Sequence, residues 1–305
     1  MLPPLTAPAL LQAYEALRPL LPTATFPSRY AQVPNLGPLT EAYDAFFFDA
    51  FGVLNIGETA IAGAAERIAA LRRAGRRVTV VSNAASVPVA ALARKYAALG
   101  FDFAPQEIVS SREALRQHLH ALPLQTWGVM APADADLSDL PGHMLPLASE
   151  APRTGDAFER ADGFILLAAE GWGIEQQQRL AAALRARPRP VLVGNPDLAA
   201  PREHGFSAEP GYFGTALMQA GLCQPLGFGK PYRSVFELAL QRLGPQVARE
   251  RVLMVGDTLH TDVLGGRHAG LHTALVTGQG VSAALDWDDA ICSTGIVPHH
   301  VIERI

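Results

Sequence analysis

Short apolar runs alternate regularly with amphipathic segments between residues 45 and 120, and again between residues 231 and 276. The run at 45–48 is apolar at every position, which is typical of a strand buried on both faces of a sheet. Strand–helix alternation of this kind predicts right-handed crossovers and an open parallel sheet, so the predicted fold class is α/β. Strands are expected at 45–48, 77–82, 251–255 and 272–276, and helices at 60–74, 87–99, 110–120, 231–243 and 262–269.

The pattern changes between about residue 122 and residue 222. Proline-containing loops there separate apolar strands expected at 127–131, 163–168 and 190–193, with one long helix at 174–187. A segment of this kind, placed within a strand–helix alternation that resumes afterwards, indicates an inserted domain. We therefore predict a Rossmann-like core with a parallel sheet, formed by residues 1–115 and 225–305, and an inserted α/β cap domain at 116–224.

The first 40 residues of this core are predicted to form a helix followed by an arm. Thr6 can cap a helix over residues 6–18, and Pro19 ends it. The stretch 19–40 is rich in proline and is expected to lie over the main body. The apolar face of the helix contains Leu10, Leu11, Tyr14 and Leu17.

Composition limits the partners to be expected. The net charge of the 305-residue chain is −4, and its arginine groups bracket helix ends, so we predict no nucleic-acid partner. No apolar run is long enough to span a bilayer, so no membrane partner is expected either. Cys223 and Cys292 are far apart and have no neighbours at metal-ligand spacing, which fits a cytoplasmic protein without disulfides or zinc.

Polar side chains end three of the predicted core strands. These are Asp49, Ser82 and Asp257, and a fourth polar group, Lys230, stands just before a predicted helix. In a doubly wound sheet, ligands bind beyond the carboxyl ends of the strands, where these groups would meet. Two carboxylates, a hydroxyl and a lysine at one edge suit a phosphate together with Mg²⁺, which prefers oxygen ligands.

Four short segments, in this order, resemble the motifs of the haloacid dehalogenase (HAD) superfamily. Residues 49–54 (DAFGVL) resemble the first motif and residues 80–83 (VVSN) the second. Residues 229–231 (GKP) resemble the third and residues 255–262 (VGDTLHTD) the fourth. The insert between the second and third motifs is similar to that of class IIA, the class of the NagD, nitrophenyl phosphate and pyridoxal phosphate phosphatases.

Two further segments carry this resemblance into the predicted cap. Residues 194–197 (GNPD) resemble an Asn-Pro-Asp stretch of class IIA caps. Residues 211–214 (GYFG) resemble a glycine-bearing loop that faces the active site in that class. The substrate-binding side chains implied by these two segments are Asn195, Asp197, Tyr212 and Phe213.

The resemblance also implies a catalytic role for the residues of the first three motifs. Asp49 would be the nucleophile, forming an aspartyl-phosphate that divides one difficult step into two. Ser82 would donate a hydrogen bond to the phosphoryl oxygens, with Asn83 in support, and Lys230 would neutralise charge on both Asp49 and the phosphate. By residue type alone, Ser82 is equally well explained as a turn hydroxyl.

The implied cofactor is Mg²⁺. Its protein ligands would be Asp49, the backbone carbonyl of Phe51, and Asp257, with near-octahedral geometry. Asp262 would orient either the surroundings of the metal or Lys230. A structural alternative for Asp262 is an N-terminal helix cap.

Phe51 departs from the family pattern, because most HAD phosphatases have a second aspartate two residues after the nucleophile. That aspartate protonates the leaving oxygen and later activates water, and its loss is expected to cost on the order of 10²–10⁴-fold in rate. Aryl and acyl phosphates, whose leaving groups need no proton, should suffer least. His260, in the fourth motif, is a candidate for an alternative acid.

These observations predict a Mg²⁺-dependent phosphoric monoester hydrolase, slow because Phe51 replaces the acid, that acts on a small sugar or aryl phosphate. One alternative is a protein that binds or senses a phosphate ligand with little turnover. Another is a carbon–halogen hydrolase, since an aromatic residue at position 51 resembles the dehalogenating branch. That branch needs no cation, however, and Asp257 suits a metal. The expected partner is a small phosphorylated molecule, and a homodimer is left open.

Overall fold

The computed structural model describes residues 6–147, 156–202 and 205–305, and within them the chain forms ten α-helices and sixteen strands. Residues 1–5 of the predicted N-terminal arm lie outside these ranges. The helices are α1 (Ala7–Leu17), α2 (Ala64–Arg73), α3 (Val89–Ala98), α4 (Ser111–His120), α5 (Ala157–Arg160), α6 (Ile174–Ala186), α7 (Pro210–Gln219), α8 (Arg233–Leu243), α9 (Leu264–His268) and α10 (Trp287–Thr294).

The strands form two parallel sheets and two short antiparallel hairpins. The strands are β1 (Ala31–Val33), β2 (Ala45–Phe48), β3 (Asn55–Ile56), β4 (Thr59–Ala60), β5 (Arg77–Ser82), β6 (Ile108–Ser110), β7 (Thr126–Met130), β8 (His143–Pro146), β9 (Gly163–Leu166), β10 (Val191–Val193), β11 (Ala199–Arg202), β12 (Gly205–Ala208), β13 (Leu226–Gly227), β14 (Val252–Gly256), β15 (His272–Val276) and β16 (His300–Ile302).

The first sheet has seven parallel strands in the order β1-β16-β15-β14-β2-β5-β6. The second has five parallel strands in the order β13-β10-β9-β7-β8, all between residues 126 and 227. This confirms the predicted α/β class with a parallel sheet. Of the predicted cap limits, residue 116 lies inside α4, and residue 224 lies just before β13 of the second sheet.

The first sheet is covered on both faces because successive side chains of a strand point to opposite sides. Phe47 and Val81 face one apolar cluster, to which α4 and α8 contribute. Phe46, Phe48 and Val80 face a second cluster, which contains side chains of α2 and α3. The uninterrupted apolar run of β2 is therefore buried on both faces.

The two sheets share apolar packing and a buried arginine. Val129 and Ile165 of the second sheet belong to the same cluster as Phe47. Arg112 on α4 is buried; its guanidinium donates to the Ala85 carbonyl at 3.0 Å and forms an ion pair with Asp139 at 2.5 Å. Arg112 therefore links the loop after β5 to the loop after β7.

Helix α1 forms as predicted, and the hydroxyl of Thr6 accepts a hydrogen bond from the Ala9 amide at 3.3 Å. Its buried face packs against residues of both sheet regions. This cluster contains Ala7, Leu10, Tyr14 and Leu17 of α1 together with Leu198, Ala199 and Val281. The arm that follows contains a strand the sequence did not predict, since β1 pairs with β16 at the edge of the first sheet.

The predicted helix at 262–269 has a different form. A π-helical turn at Leu259–Val263 comes first, and α9 follows. The helices α5 and α10 and the strands β3, β4, β6, β8, β11, β12, β13 and β16 were not predicted, and α7 begins before the residues 211–214 that were expected to precede it. Among the described residues, no helix is both long and apolar enough to cross a lipid bilayer.

Candidate active site

Three neighbouring strands of the first sheet bring the predicted polar residues together. β14, β2 and β5 lie side by side, and all run in the same direction. Asp257 follows β14, Asp49 follows β2, and Ser82 is the last residue of β5. These side chains therefore lie at the carboxyl edge of the sheet, where ligands bind in folds of this type.

Lys230 connects two of the carboxylates at this edge. Its Nζ lies 2.5 Å from Asp49 Oδ1 and 2.8 Å from Asp262 Oδ1, and the lysine is buried. Burial alone would lower the pKa of Lys230, but Asp262, Asp49 and Asp197 together raise it above its ordinary value. The lysine is therefore held as a cation beneath Asp49.

The carboxylate of Asp257 is fixed by a tight backbone turn. Its Oδ2 accepts a hydrogen bond from the Val281 amide at 2.6 Å, and its Oδ1 accepts one from the Thr258 hydroxyl at 2.8 Å. Gly52 and Gly280 both have positive φ, and a Cβ on either would lie within 2.3 Å of Asp257 Oδ2. The close approach of two loops to this carboxylate thus requires glycine at both positions.

The site carries more negative than positive charge. Asp49, Asp257 and Asp262 each offer an oxygen within 4.8 Å of the others, and Lys230 is the cation paired with two of them. Burial raises the pKa of Asp257 well above its usual range, and Asp49 and Asp262 raise it further. Clustered carboxylate oxygens with surplus negative charge fit a hard divalent cation such as Mg²⁺.

Asn83 joins the core residues to the second sheet region. Its Oδ1 accepts from the Lys230 amide at 2.6 Å, and its Nδ2 donates to the Lys230 carbonyl at 3.0 Å and to Asp197 Oδ1 at 2.8 Å. The hydroxyl of Ser82 accepts from the Ala84 amide at 3.2 Å and also forms a hydrogen bond with the hydroxyl of buried Tyr96.

A cavity of about 590 Å³ opens in front of these residues. Its core side is lined by Asp49, Phe51, Ser82, Asn83 and Asp257, and its opposite side by Asn195, Asp197 and Arg202.

Asn195 and Asp197 lie where the sequence predicted, on the far side of the cavity from the sheet edge. Asn195 Nδ2 donates to Glu209 Oε2 at 3.1 Å, and Asn195 Oδ1 accepts from the Asp197 amide at 3.0 Å. Burial raises the pKa of Asp197 to about 8; Lys230 opposes this shift, and Asp49 adds to it. A carboxyl that can be protonated near neutral pH therefore lines the cavity.

The prediction that Tyr212 and Phe213 line the cavity is wrong. Residues 211–214 are the first turn of α7 rather than a loop, and neither side chain is among those lining the cavity. Phe213 is buried in the apolar cluster of the second sheet, and Tyr212 packs against that cluster. Gly211 has another function: a Cβ there would lie 2.1 Å from the Pro196 carbonyl oxygen.

Phe51 lies at the cavity wall between two cations. Lys95 Nζ is 5.1 Å from the centre of its ring, and the guanidinium carbon of Arg202 is 5.2 Å from it. Such distances allow cation–π attraction. The place of the family's acid is thus occupied by an aromatic ring that the surrounding charges stabilise.

His260 is not positioned as the sequence suggested for an alternative acid. It is buried, its Nε2 lies 2.5 Å from Glu15 Oε1, and its ring stacks on Tyr14 at 5.1 Å between centres. Burial lowers the pKa of His260, although Glu15 opposes that shift. His260 therefore contacts α1 and is not among the residues that line the cavity.

Several cavity-lining residues escaped the sequence analysis. Leu10 and Tyr14 come from α1, Lys95 from α3 and Arg202 from β11. The only available signal was a tyrosine on the apolar face of the first predicted helix. Nothing in the local sequence indicates that this face meets the cavity.

Comparisons with known proteins agree with this geometry. The profile of a haloacid dehalogenase-like hydrolase family matches residues 46–135, and a HAD-hydrolase-like profile matches residues 227–305. The chain is 33% identical to the glycerol-3-phosphate phosphatase of Homo sapiens over 290 residues, covering 86% of this chain and 88% of the relative. It is also 33% identical to chronophin of Homo sapiens over 270 residues, covering 85% and 89%.

Solved structures have the same architecture. A possible sugar phosphatase from Cytophaga hutchinsonii superposes with a TM-score of 0.79 at 29% identity, covering 90% of this chain and 98% of that one. NagD from Escherichia coli shares the fold, with a TM-score of 0.65 at 22% identity and coverage of 86% and 96%. The chain belongs to the haloacid dehalogenase-like hydrolases.

Proposed function

We propose that this protein is a Mg²⁺-dependent phosphatase that acts on a small organic phosphate through an aspartyl-phosphate at Asp49. The proposal rests on one observation above all, the ion-paired series Asp49–Lys230–Asp262 beside Asp257 at the edge of the sheet. Relatives of this chain named glycerol-3-phosphate phosphatase and chronophin support a phosphomonoester as the substrate.

The core residues would divide the reaction into two steps. Asp49 attacks the phosphorus while the bond to the ester oxygen breaks and the alcohol leaves, and water then hydrolyses the aspartyl-phosphate to phosphate and free Asp49. Lys230 offsets the charge of Asp49 and of the phosphoryl oxygens, and Ser82 donates a hydrogen bond to one of those oxygens. Positioning and charge stabilisation of this kind carry most of the catalysis of phosphoryl transfer.

Asp49, the backbone carbonyl of Phe51, and Asp257 would hold the metal. Mg²⁺ would supply positive charge to the transferring phosphoryl group. Asp262 would act through Lys230, because its Oδ1 pairs with Lys230 Nζ and its Oδ2 accepts from the Thr258 amide at 3.1 Å.

The residues around the second sheet would form the cap that encloses the organic part of the substrate. In this division the core is 1–115 and 225–305, and the cap is 116–224. A cavity of about 590 Å³ suits a sugar or aryl phosphate, with Asn195 and Asp197 providing polar contacts. Phe51 carries no proton, so protonation of a basic leaving group must come from another group of the site.

The test compares phosphate release from 4-nitrophenyl phosphate with Mg²⁺ and with a chelator. Activity should require the cation and disappear in Asp49→Asn. Asp44→Asn is the matched control: Asp44 immediately precedes β2, at the opposite edge of the sheet, and pairs with Arg251. Acid quenching followed by peptide mass analysis should find the phosphoryl group on Asp49 in the wild-type protein.

Two results would overturn the proposal. One is an absence of phosphate release from a panel of phosphorylated metabolites despite intact Mg²⁺ binding, which would favour a binding or sensing function. The other is chloride release from a 2-haloacid without any cation, which would favour carbon–halogen hydrolysis.

A further inference from the structure

Tyr14 of the N-terminal helix lies in the wall of the active-site cavity, although no motif of the sequence includes it. The helix is fixed there by buried Leu10 and Leu17 on the same face. These side chains pack against Leu198 on one side of the cavity and Val281 on the other. Helix α1 is therefore a structural wall of the site.

The hydroxyl of Tyr14 is oriented by the backbone of the opposite wall. The Leu198 amide donates a hydrogen bond to the Tyr14 oxygen at 3.2 Å. Because the oxygen acts as an acceptor in this bond, its own proton remains available for donation into the cavity. Leu198 directly follows Asp197, so the hydroxyl lies next to the backbone of another residue that lines the cavity.

Surrounding side chains keep this phenol neutral and its ring fixed. Burial raises the pKa of Tyr14 well above its ordinary value, and the carboxylates of Asp197, Asp262 and Asp257 raise it further, whereas the Leu198 amide opposes the shift. The ring stacks on His260 with an interplanar angle of 9°, and His260 is held by Glu15. His260 is thus a positioning residue for Tyr14.

We propose that Tyr14 donates the proton that Phe51 cannot supply, directly to the ester oxygen of the substrate. This inference rests on the phosphatase function proposed above. In the first step, the bond from phosphorus to the ester oxygen breaks as the bond to Asp49 forms, and the Tyr14 proton moves to the departing oxygen. The Leu198 amide stabilises the resulting tyrosinate.

The second step restores both groups. Water attacks the phosphorus of the aspartyl-phosphate, its proton passes to the tyrosinate, and the bond to Asp49 breaks. The products are the alcohol, inorganic phosphate, neutral Tyr14 and free Asp49. An alcohol is more basic than a phenol, so proton transfer from tyrosine to an alkoxide is favourable even when the pKa of tyrosine is raised.

The decisive variant is Tyr14→Phe, which keeps the ring against His260 and removes the hydroxyl. We expect kcat/KM for alkyl phosphates to fall by about 10²-fold, the lower end of general acid catalysis. For 4-nitrophenyl phosphate, whose leaving group needs no proton, kcat/KM should stay unchanged. Tyr30→Phe is the control, because the Tyr30 hydroxyl bonds to Asp288 at 2.5 Å and Tyr30 does not line the cavity.

Three outcomes would overturn the inference. If Tyr14→Phe lowers kcat/KM equally for all leaving groups, the Tyr14 hydroxyl only supports the position of Leu198. No loss at all would exclude a contact with the substrate. If kcat/KM falls more for basic leaving groups in Asp197→Asn but not in Tyr14→Phe, then Asp197 is the group that donates the proton.

The wild-type protein separates the two proposals. If it releases phosphate from 4-nitrophenyl phosphate, the proposed function stands and the Tyr14 data alone decide the inference. A wild-type protein that releases phosphate neither from 4-nitrophenyl phosphate nor from any phosphorylated metabolite of the panel overturns both. If Tyr14→Phe does not fold, His260→Asn is the substitute variant, because it removes the ring that stacks on Tyr14. We expect a smaller decrease in kcat/KM, confined to alkyl phosphates. An equal decrease in kcat/KM for all substrates would contradict the inference.

Discussion

At the scale of single residues, the carboxylate of Asp257 is held by contacts on several sides. Two backbone loops, a hydroxyl and an amide surround it. A carboxylate held this rigidly is suited to a metal that demands regular geometry.

We predict that Asp257→Asn weakens Mg²⁺ binding by at least about 10-fold, because a neutral amide replaces a charged oxygen ligand. Isothermal titration calorimetry measures this directly. Asp102→Asn serves as the control, since Asp102 is exposed and pairs with Arg72 at 3.5 Å. Equal Mg²⁺ affinity in the two variants would remove Asp257 from the metal site.

The raised pKa of Asp197 makes a prediction about stability and pH. In the unfolded chain this carboxyl has a pKa of about 4, whereas burial raises it to about 8 in the folded protein. The folded state therefore holds the proton more tightly, and stability should fall as the pH rises between these two values. In a chelator, Asp197→Asn should thus raise the melting temperature at about pH 9 and have less effect at about pH 5. An equal change in melting temperature at both pH values would contradict a raised pKa of Asp197.

Phe51 yields a prediction that depends on its two neighbouring cations. In Phe51→Asp, Lys95 and Arg202 would keep the new carboxylate ionised, so it would donate a proton poorly. We expect a gain on alkyl phosphates well below the 10²-fold lower end of the acid–base range, and a larger gain when Lys95→Met is added. The comparison is made by kcat/KM with both proteins confirmed as folded. If Phe51→Asp alone raises kcat/KM on alkyl phosphates by about the full 10²-fold, then Lys95 and Arg202 do not influence proton donation by the new carboxyl group.

The sequence predicted the core of the candidate site well, for a local reason. Asp49, Ser82 and Asp257 each follow or end a strand, so their shared edge is implied by strand order alone. Tyr14 and Arg202 reach the cavity only through docking of α1 and of the β11–β12 hairpin. Such contacts depend on how distant parts of the chain pack together, and the local sequence pattern does not predict this packing.

At the scale of elements, α7 shows how tertiary packing prevails over local preference. Residues 211–214 contain two glycines, which disfavour a helix interior. The helix forms because Phe213 and Leu217 become buried in the apolar cluster of the second sheet. Gly211 at its first turn then allows close contact with the carbonyl of Pro196.

This contact predicts different effects for two adjacent residues. Gly211→Ala should displace the turn that carries Asn195 and Asp197, which would raise KM and lower the melting temperature. Tyr212→Phe should change neither, because Tyr212 packs within the second sheet region, away from the cavity. Steady-state kinetics and thermal melting provide both readouts. Unchanged KM in a folded Gly211→Ala would show that the turn does not position substrate contacts.

The predicted helix at 262–269 is confirmed over Leu264–His268, but its first turn differs from a regular helix for a related reason. Apolar spacing locates the helix but does not reveal a π-helical first turn at Leu259–Val263. In this turn the Thr258 amide donates to Asp262, whose carboxylate pairs with Lys230. The irregular turn thus positions a charged side chain, a requirement invisible in the apolar pattern.

At the scale of the whole molecule, α1 contacts both sheet regions through one apolar cluster. We predict that Leu10→Ala lowers the free energy of unfolding by about 2–5 kcal/mol. It should also accelerate hydrogen exchange at the β11–β12 hairpin and around Val281 together. Leu71→Ala is the control, because Leu71 is equally buried on α2 but packs only in the core. If hydrogen exchange at the β11–β12 hairpin and around Val281 is faster in both variants, then α1 does not specifically link these two regions.

The order of the motifs along the chain made the overall architecture predictable, since each motif lies beside a strand of the same sheet. The attachment of the N-terminal arm was not predictable in this way. Its strand β1 is only three residues long, and it pairs with β16 through a register that joins Ala31 to His300. Short edge strands carry too few residues to show a pattern.

The pairing of β1 with β16 has a consequence for synthesis of the protein on the ribosome. Residue 31 is made early, but its partner at residue 300 is made 269 positions later, the difference between the two numbers. Contacts so distant in sequence form late, because the intervening chain must be ordered first. Helix α1 precedes β1 and packs against Val281 as well, so the docking that places Tyr14 in the cavity wall is completed only after residue 281 has emerged. A nascent chain that has reached only the second sheet would therefore lack Lys230, Asp257 and Val281, so the metal site and the wall formed by α1 would be completed in the same late stage of synthesis.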